Sequence, residues 1–440
     1  MRRSSSFVLG AVALACAGPD RDAAPASPTS SDATGTSGGS TTVSGSAGTG
    51  SATTEAGDTN GATIGDTTGD DGASSSGGAE LGVPMFVAQG MVGRTTVSCD
   101  DGLTWIGERS WDVEGDAHLC GSTTPVDCSG SGSTCTQRWF DGSCSEEACD
   151  CGHSPGFSKG VEHGAGRFVA TWGWGWPGAV ATSTNGFDWQ TTLDGDTFGG
   201  LRYGGGRFVV ASRTPQTSLD GITWTASQEA DFHGDDGVTI WSVRRFGFAD
   251  VDGGRFVAYA SGDTSVDTLI SSDGGGSWWR PRSMPSDCLG EGPGAYGDII
   301  AGNGVIVMVD GDGHACRSDD GGSSWTAHTI TDSRIASSGV WTGDEFWFWG
   351  FGSRYSSADG ITWTTTPIDA PDDIGPVARS PEGTLVAVNN VWLGYEQQAF
   401  LRSTDGVTWA SLPDGDFTPG HPIFFIAFGH AEPSAMCPGT

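Results

Sequence analysis

The sequence predicts an all-β protein: a seven-bladed β-propeller of four-stranded antiparallel blades, its ring closed by the C-terminal strand. Three observations predict it. A phrase of the form Ser-x-Asp-Gly-x-Thr-Trp recurs seven times, ending on Trp105, Trp189, Trp224, Trp278, Trp325, Trp363 and Trp409. A second phrase precedes most copies, clearest in Gly166-Arg167-Phe168-Val169-Ala170, Gly206-Arg207-Phe208-Val209-Val210 and Gly254-Arg255-Phe256-Val257-Ala258. Finally, the apolar stretch Ile423-Phe424-Phe425-Ile426-Ala427-Phe428 follows the last copy with no repeat of its own. Self-similarity at intervals of about 35 to 55 residues marks an architecture in which each unit is one small sheet.

The repeated phrase is turn chemistry followed by an anchor. Its acidic position is filled by Asp100, Asn185, Asp220, Asp273, Asp320, Asp359 and Asp405. A side-chain oxygen there accepts backbone N–H groups of the tight turn it begins, and the following Gly supplies a positive φ. Ser or Thr then restarts the strand, and the Trp offers a large ring to bury between neighbouring sheets. Catalysis or metal binding needs a carboxylate once or twice, whereas a fold device is needed in every unit. A structural role is therefore expected, and Asn185 fits it because its amide oxygen accepts the same bonds.

In chain order, Arg2-Arg3, an apolar run from Phe7 to Ala15 and Cys16 read as a short secretory signal over residues 1–15. The run is too short to span a bilayer as a mature helix. Residues 16–82 are almost wholly Ser, Thr, Gly, Ala and Asp after Cys16, with too little apolar surface to offset ordering entropy. They are expected to form a disordered tether. The propeller is expected over 83–430 and a short tail over 431–440.

The first unit begins at Met85-Phe86-Val87-Ala88 and lacks an inner strand, which the terminal stretch is expected to supply. Closing the ring in this way removes exposed sheet edges. Each later unit reads as an inner strand, the Phe-Val-Ala strand, a strand entering the turn, and a strand holding the Trp. Looser versions of the second phrase are Gly304-Val305-Ile306-Val307, Glu345-Phe346-Trp347-Phe348 and Gly383-Thr384-Leu385-Val386.

Between Trp105 and the second unit lies a Cys-rich insertion at about 110–156, holding Cys120, Cys128, Cys135, Cys144, Cys149 and Cys151. With Cys99, Cys288, Cys316 and Cys437 these make an even set once Cys16 is set aside, and an exported chain favours bridges. Connectivity cannot be derived from the sequence; expected strand neighbours suggest Cys288 with Cys316 and Cys99 with Cys437. Cys149-Asp150-Cys151-Gly152-His153 offers soft ligands, but not at zinc-ribbon spacing, so no metal or other cofactor is expected.

The chain carries 54 acidic and 21 basic residues, for a net charge of −33, and Lys159 is its only lysine. No basic patch exists to release counterions from phosphates, which argues against nucleic acid as a partner. Such acidity keeps a protein soluble and repels polyanions. The expected state is a monomer.

The seven turns resemble the Asp-box (BNR) repeat of the sialidase-like and sortilin-like β-propellers, a resemblance covering about residues 83 to 430. Ala13-Leu14-Ala15-Cys16 resembles a bacterial lipobox. That likeness implies acylation of Cys16, a bilayer partner and a place in the bacterial cell envelope. Ala17, rather than Asp, after the Cys favours the outer membrane or cell surface. Sialidases also bring an Arg-Ile-Pro motif, absent here, and a catalytic Tyr, for which none of the five Tyr residues has a recognisable context.

Third turns lie at one end of a meander ring; the second turns and the blade connections, with the insertion, lie at the other. A glycan or protein ligand is expected at that other end. Trp172, Trp174 and Trp176 alternate and so share a face on an extended strand, open to stacking on a ligand or to packing on a neighbouring blade. Trp139 and Trp392 have the same two readings. Counting six back from the Phe-Val-Ala aromatic or its stand-in gives Glu162, Arg202, Asp250, Ile300, Val340 and Arg379 on the inner strands. Arg202 and Arg379 are candidates for gripping a carboxylate, and Glu162 and Asp250 for acid and base, unless all four merely line a solvated wall. The function expected is non-catalytic binding or scaffolding at the cell surface. A glycoside hydrolase using channel-mouth carboxylates is the alternative.

Overall fold

The structure is a computed structural model. It describes residues 82–438 except 91–93, 110–133, 139–143, 149–156, 174–177, 196–197, 213, 229–241, 262–265, 280–287, 289–297, 311–312, 332–334, 351, 371–373, 390–397 and 413–422. The signal, the tether, Trp139, Trp174, Trp176, Trp392 and four of the insertion's cysteines lie outside the described residues. No helix occurs among the described residues.

Seven antiparallel sheets stand in a ring. Their inner strands are Ile423–Ala431, Phe157–Gly164, Leu201–Gly204, Ser242–Ala249, Asp298–Gly302, Ile335–Trp341 and Ile374–Arg379. Each packs against the next, and the last returns to the first. Six sheets have four strands in meander order; the fourth blade has three, with an Ile270–Trp279 bridge where its outer strand belongs. A separate hairpin pairs Thr134–Arg138 with Cys144–Ala148 inside the insertion.

The ring closes as the sequence predicts. Ile423–Ala431 pairs antiparallel with Val83–Gly90, Phe86 opposite Phe428, so the first blade joins the two ends of the domain.

Both faces of every second strand are buried, which is why the Phe-Val-Ala phrase is apolar throughout rather than alternating. Phe168 and Ala170 pack with Met85, Val87 and Val97 of the preceding blade, while Val169 between them packs with Leu201 and Phe208 of the following one. Phe256 and Val257 divide in the same way. The core is therefore seven interblade layers, and burying each Val or Phe contributes about 1.5–3 kcal/mol.

The seven carboxylate turns share one geometry. The Ser hydroxyl donates to the acidic side chain or its Asn substitute at 2.8–3.1 Å. The same oxygen accepts the backbone N–H of the residue before the Trp at 2.7–2.9 Å. The Gly serves two needs. Gly360 has a φ of 72°, and a Cβ there would stand 2.8 Å from Val307 of the preceding blade. Each turn thus docks on its neighbour as well as closing its own hairpin.

Arginines reinforce that docking. Arg255, Arg317, Arg354 and Arg402 each donate to a backbone carbonyl in the next blade's turn: Asp320, Asp359, Asp405 and Asp101, at 2.7–2.9 Å. Arg167 and Arg207 lie against Gly221 and Gly274 at the equivalent place.

The junction between the first and second blades differs. There Gly186 meets Met85, Val87 and Val97, and the tail after the closing strand reaches the turn. The Glu432 N–H donates to the Thr184 carbonyl at 2.7 Å, and the Thr184 hydroxyl donates to the Glu432 carboxylate at 2.8 Å. A Cys99–Cys437 disulfide, Cα atoms 5.8 Å apart, ties that tail to the first blade. Cys288 and Cys316 form a second bridge, Cα atoms 5.1 Å apart. Both pairings suggested by strand neighbourhood are present.

Candidate functional site: a cavity on the ring axis

All seven blades contribute to one cavity of about 120 Å³. Its walls are Lys159–Glu162, Gly200–Arg202, Phe246, Asp298, Gly339, Pro376–Val377 and Phe425–Ile426. Most of these positions fall in the first half of an inner strand. Inner strands run from the blade-connection end toward the first turn, so the cavity lies toward the end opposite the carboxylate turns.

Its polar groups come from three blades. Arg202 Nη1 donates to Glu162 Oε1 at 3.1 Å, bridging the second and third blades. Both side chains keep solvent access, Arg202 at 37% and Glu162 at 24%. Asp298 bridges the fifth and sixth: Oδ1 accepts the Ile299 N–H and Oδ2 the Gly339 N–H, each at 2.9 Å. Lys159 is half-buried in the wall. Val161, Leu201, Phe246, Val377 and Ile426 complete the wall, the first four of them buried in interblade core. The cavity is thus mostly polar, with two basic and two acidic residues in its wall.

The structure brings together only some of the sequence-derived candidates. Glu162 and Arg202 meet at the axis. Asp250 does not join them: it lies beyond the end of its inner strand, exposed at the first turn. Arg379 is the last residue of its strand, near Gly383 of the first turn, and is likewise absent from the cavity wall. Ile300 and Val340 point into interblade core. Six-back counting reaches equivalent positions in the second, third, fifth and sixth blades, but the first turns of the fourth and seventh are longer, so there it lands past or at the end of the strand. Trp172 is fully buried, edge-on to Trp189 at 6.1 Å, so it presents no face to a ligand.

Counting passed over Lys159 and Asp298. Lys159 had a signal in being the only lysine. Asp298 had none, because its place depends on the Gly339 amide of another blade.

The repeated carboxylates are poor acid–base candidates. The N–H groups of Thr223 and Ile222 hold Asp220 down to about 2. The same bonds from Thr362 and Ile361 lower Asp359. For Asp273 and Asp320 burial pushes upward, but turn hydrogen bonds outweigh it and the net direction is down. Among the described residues no group of three His, Cys, Asp or Glu is placed to hold a metal ion.

Neither a protein-family model nor a curated protein matches the chain. Solved structures do. A GH74 enzyme of Niastella koreensis is 18% identical with a TM-score of 0.43, over 62% of this chain. The chain spans 43% of that enzyme's length. YCF48 bound to a D1 peptide is 13% identical, TM-score 0.43, over 70% of this chain and 91% of its own. Apo AztD of Citrobacter koseri is 11% identical, TM-score 0.44, over 79% and 99%. At such identities and scores no role passes from these proteins to this chain.

Proposed function

We propose that this propeller is a non-catalytic binding or scaffold module of the Asp-box type. On this reading an acylated Cys16 holds it at a bacterial cell surface, and it takes a glycan or protein partner at the axial mouth opposite the carboxylate turns. One observation carries the reading: the charged groups at the axis are already engaged across blades. Glu162 is neutralised by Arg202, and Asp298 is bonded through both oxygens. A general acid needs a carboxyl whose proton is retained near neutral pH, and an ion pair to guanidinium favours the charged form instead. The candidate acid–base pair of Glu162 and Asp250 is not assembled.

The test is a glycan array beside a panel of chromogenic glycosides, run on the full chain. Binding without turnover is expected. Turnover abolished by Glu162→Gln would replace this reading with a hydrolase.

A further inference from the structure

We propose that Asn185 is a self-modification site: the Gly186 nitrogen closes on its side-chain amide, ammonia leaves, and water opens the resulting succinimide to aspartate or isoaspartate. This chemistry is independent of what the axis binds.

The sequence holds three Asn-Gly pairs, at Asn60, Asn185 and Asn303, and in each the following Gly has no side chain to hinder attack. The fold separates the last two. Asn185 Oδ1 accepts from the Ser183 hydroxyl at 3.1 Å, the Phe187 N–H at 2.9 Å and the Asp188 N–H at 2.8 Å. The loop closed by the Phe187 bond contains the Gly186 nitrogen and so holds it near the amide carbon. The three donors polarise the amide and are already aimed at the oxygen that gains negative charge on attack. Nδ2, the leaving nitrogen, donates to Asp188 Oδ2 at 2.9 Å, so positive charge building on it arises beside a carboxylate. Gly186 gives its proton to water as the N–Cγ bond forms. Water returns a proton to Nδ2 as the Cγ–Nδ2 bond breaks, and a further water opens the ring. Asn303 stands exposed at the first turn of the fifth blade, with a φ of 50° and no such set of partners among the described residues.

The other six turns are protected. Each carries a carboxylate, and turn hydrogen bonds keep it ionised, as the N–H groups of Thr223 and Ile222 do for Asp220. An ionised carboxylate resists attack by nitrogen. Those turns also place Thr or Ser before the Trp, a hydroxyl that donates to the acid, as Thr104 does to Asp100 at 2.6 Å. In the second turn Asp188 takes that place and accepts from the amide instead.

Conversion therefore has a structural consequence. An acid at 185 would set two carboxylates against each other where an amide–carboxylate bond stood, which is repulsive. Isoaspartate would also lengthen the backbone inside the turn. The same turn receives the tail, through Thr184 and Glu432, so the loosened place is the seam of the ring.

The experiment is incubation of the full chain in mildly alkaline buffer, folded and in denaturant, with peptide mass mapping of amide-to-acid conversion. In the folded protein Asn185 should convert about tenfold faster than Asn303 or more, and in denaturant the two rates should converge. Asp188→Ala should slow Asn185 about tenfold and leave Asn303 unchanged. The melting temperature should fall as the converted fraction rises. If Asp188→Ala misfolds, the folded-against-denatured ratio on the unaltered protein decides the matter. Equal conversion of Asn185 and Asn303 in the folded protein, or an Asn185 that converts only after unfolding, overturns the proposal.

Discussion

Six blade junctions and the seventh are held by different means. At six, an arginine of one blade sits on the carboxylate turn of the next, through a carbonyl bond in four and against the turn glycine in two. At the junction of the first and second blades, aliphatic side chains meet Gly186 and the C-terminal tail supplies the polar contact. The difference follows from connectivity. Five of the six lie between blades that are each continuous in sequence, and the sixth sets Arg402 on the turn that the N-terminal part of the first blade supplies. The exception is where the first blade's closing strand and tail meet the second blade, and there the join is made by strand pairing and a covalent tie.

The largest effect is expected from deleting residues 421–440. The first blade then loses its inner strand and the Cys437 tie together, and we expect no cooperative unfolding transition and extensive aggregation. A variant melting like the parent would show that closure is not needed.

Next come the two disulfides. Cys99–Cys437 spans 338 residues and Cys288–Cys316 spans 28. Chain-entropy reasoning gives losses on the order of 5 and 3–4 kcal/mol respectively. Denaturant midpoints of Cys437→Ala and Cys288→Ala should therefore rank in that order; the reverse order would mean the tail is a passive appendage.

A smaller effect is expected at an ordinary junction. Arg354 donates to the Asp405 carbonyl at 2.7 Å and lies over the Trp347 ring at 4.1 Å. Arg354→Met should cost about 1–2 kcal/mol, read as a shift in midpoint. Glu432→Gln, on the exposed tail contact, should stay within about 0.5 kcal/mol.

Acidity separates the junctions most subtly. His163 of the second blade lies against the closing strand, its Nε2 2.9 Å from the His430 carbonyl, and burial lowers its pKa. A lowered histidine pKa means the unfolded chain takes up the proton first. Stability from this group is thus complete above about pH 6.5 and falls as pH drops below it. The turn carboxylates act later. Their pKa values are also lowered, so their contribution is present above about pH 4 and is lost toward pH 2, where Asp220 titrates. Hydrogen exchange between pH 7 and 5 should therefore loosen the first–second junction before the other six. Uniform loosening, or loosening that survives His163→Gln, would count against it.

Much of this molecule was legible as text. The turn, its glycine and its tryptophan are local devices, and seven copies announce both the blade count and the missing strand. The alternation of Trp172, Trp174 and Trp176 left ligand stacking and blade packing both open; Trp172 is turned into core, a choice made by the neighbouring blade, and the other two lie outside the described residues. The clamp arginines were visible as letters in Arg167, Arg207 and Arg255, yet their role was not. In the fifth, sixth and seventh blades the cation moves to the third strand: Arg317 and Arg402 directly precede their turn Ser, whereas Arg354 stands three residues before its own.

By itself the sequence determined the repeat, the hairpin at each copy and the strand left over to close the ring. It could do so because turn hydrogen bonds and strand patterning join residues a few positions apart. Which charges meet at the axis was decided only in three dimensions. Glu162 and Arg202 are 40 positions apart, and the cavity wall draws on all seven blades. No local pattern records a contact whose partners are chosen by the curvature of the whole ring.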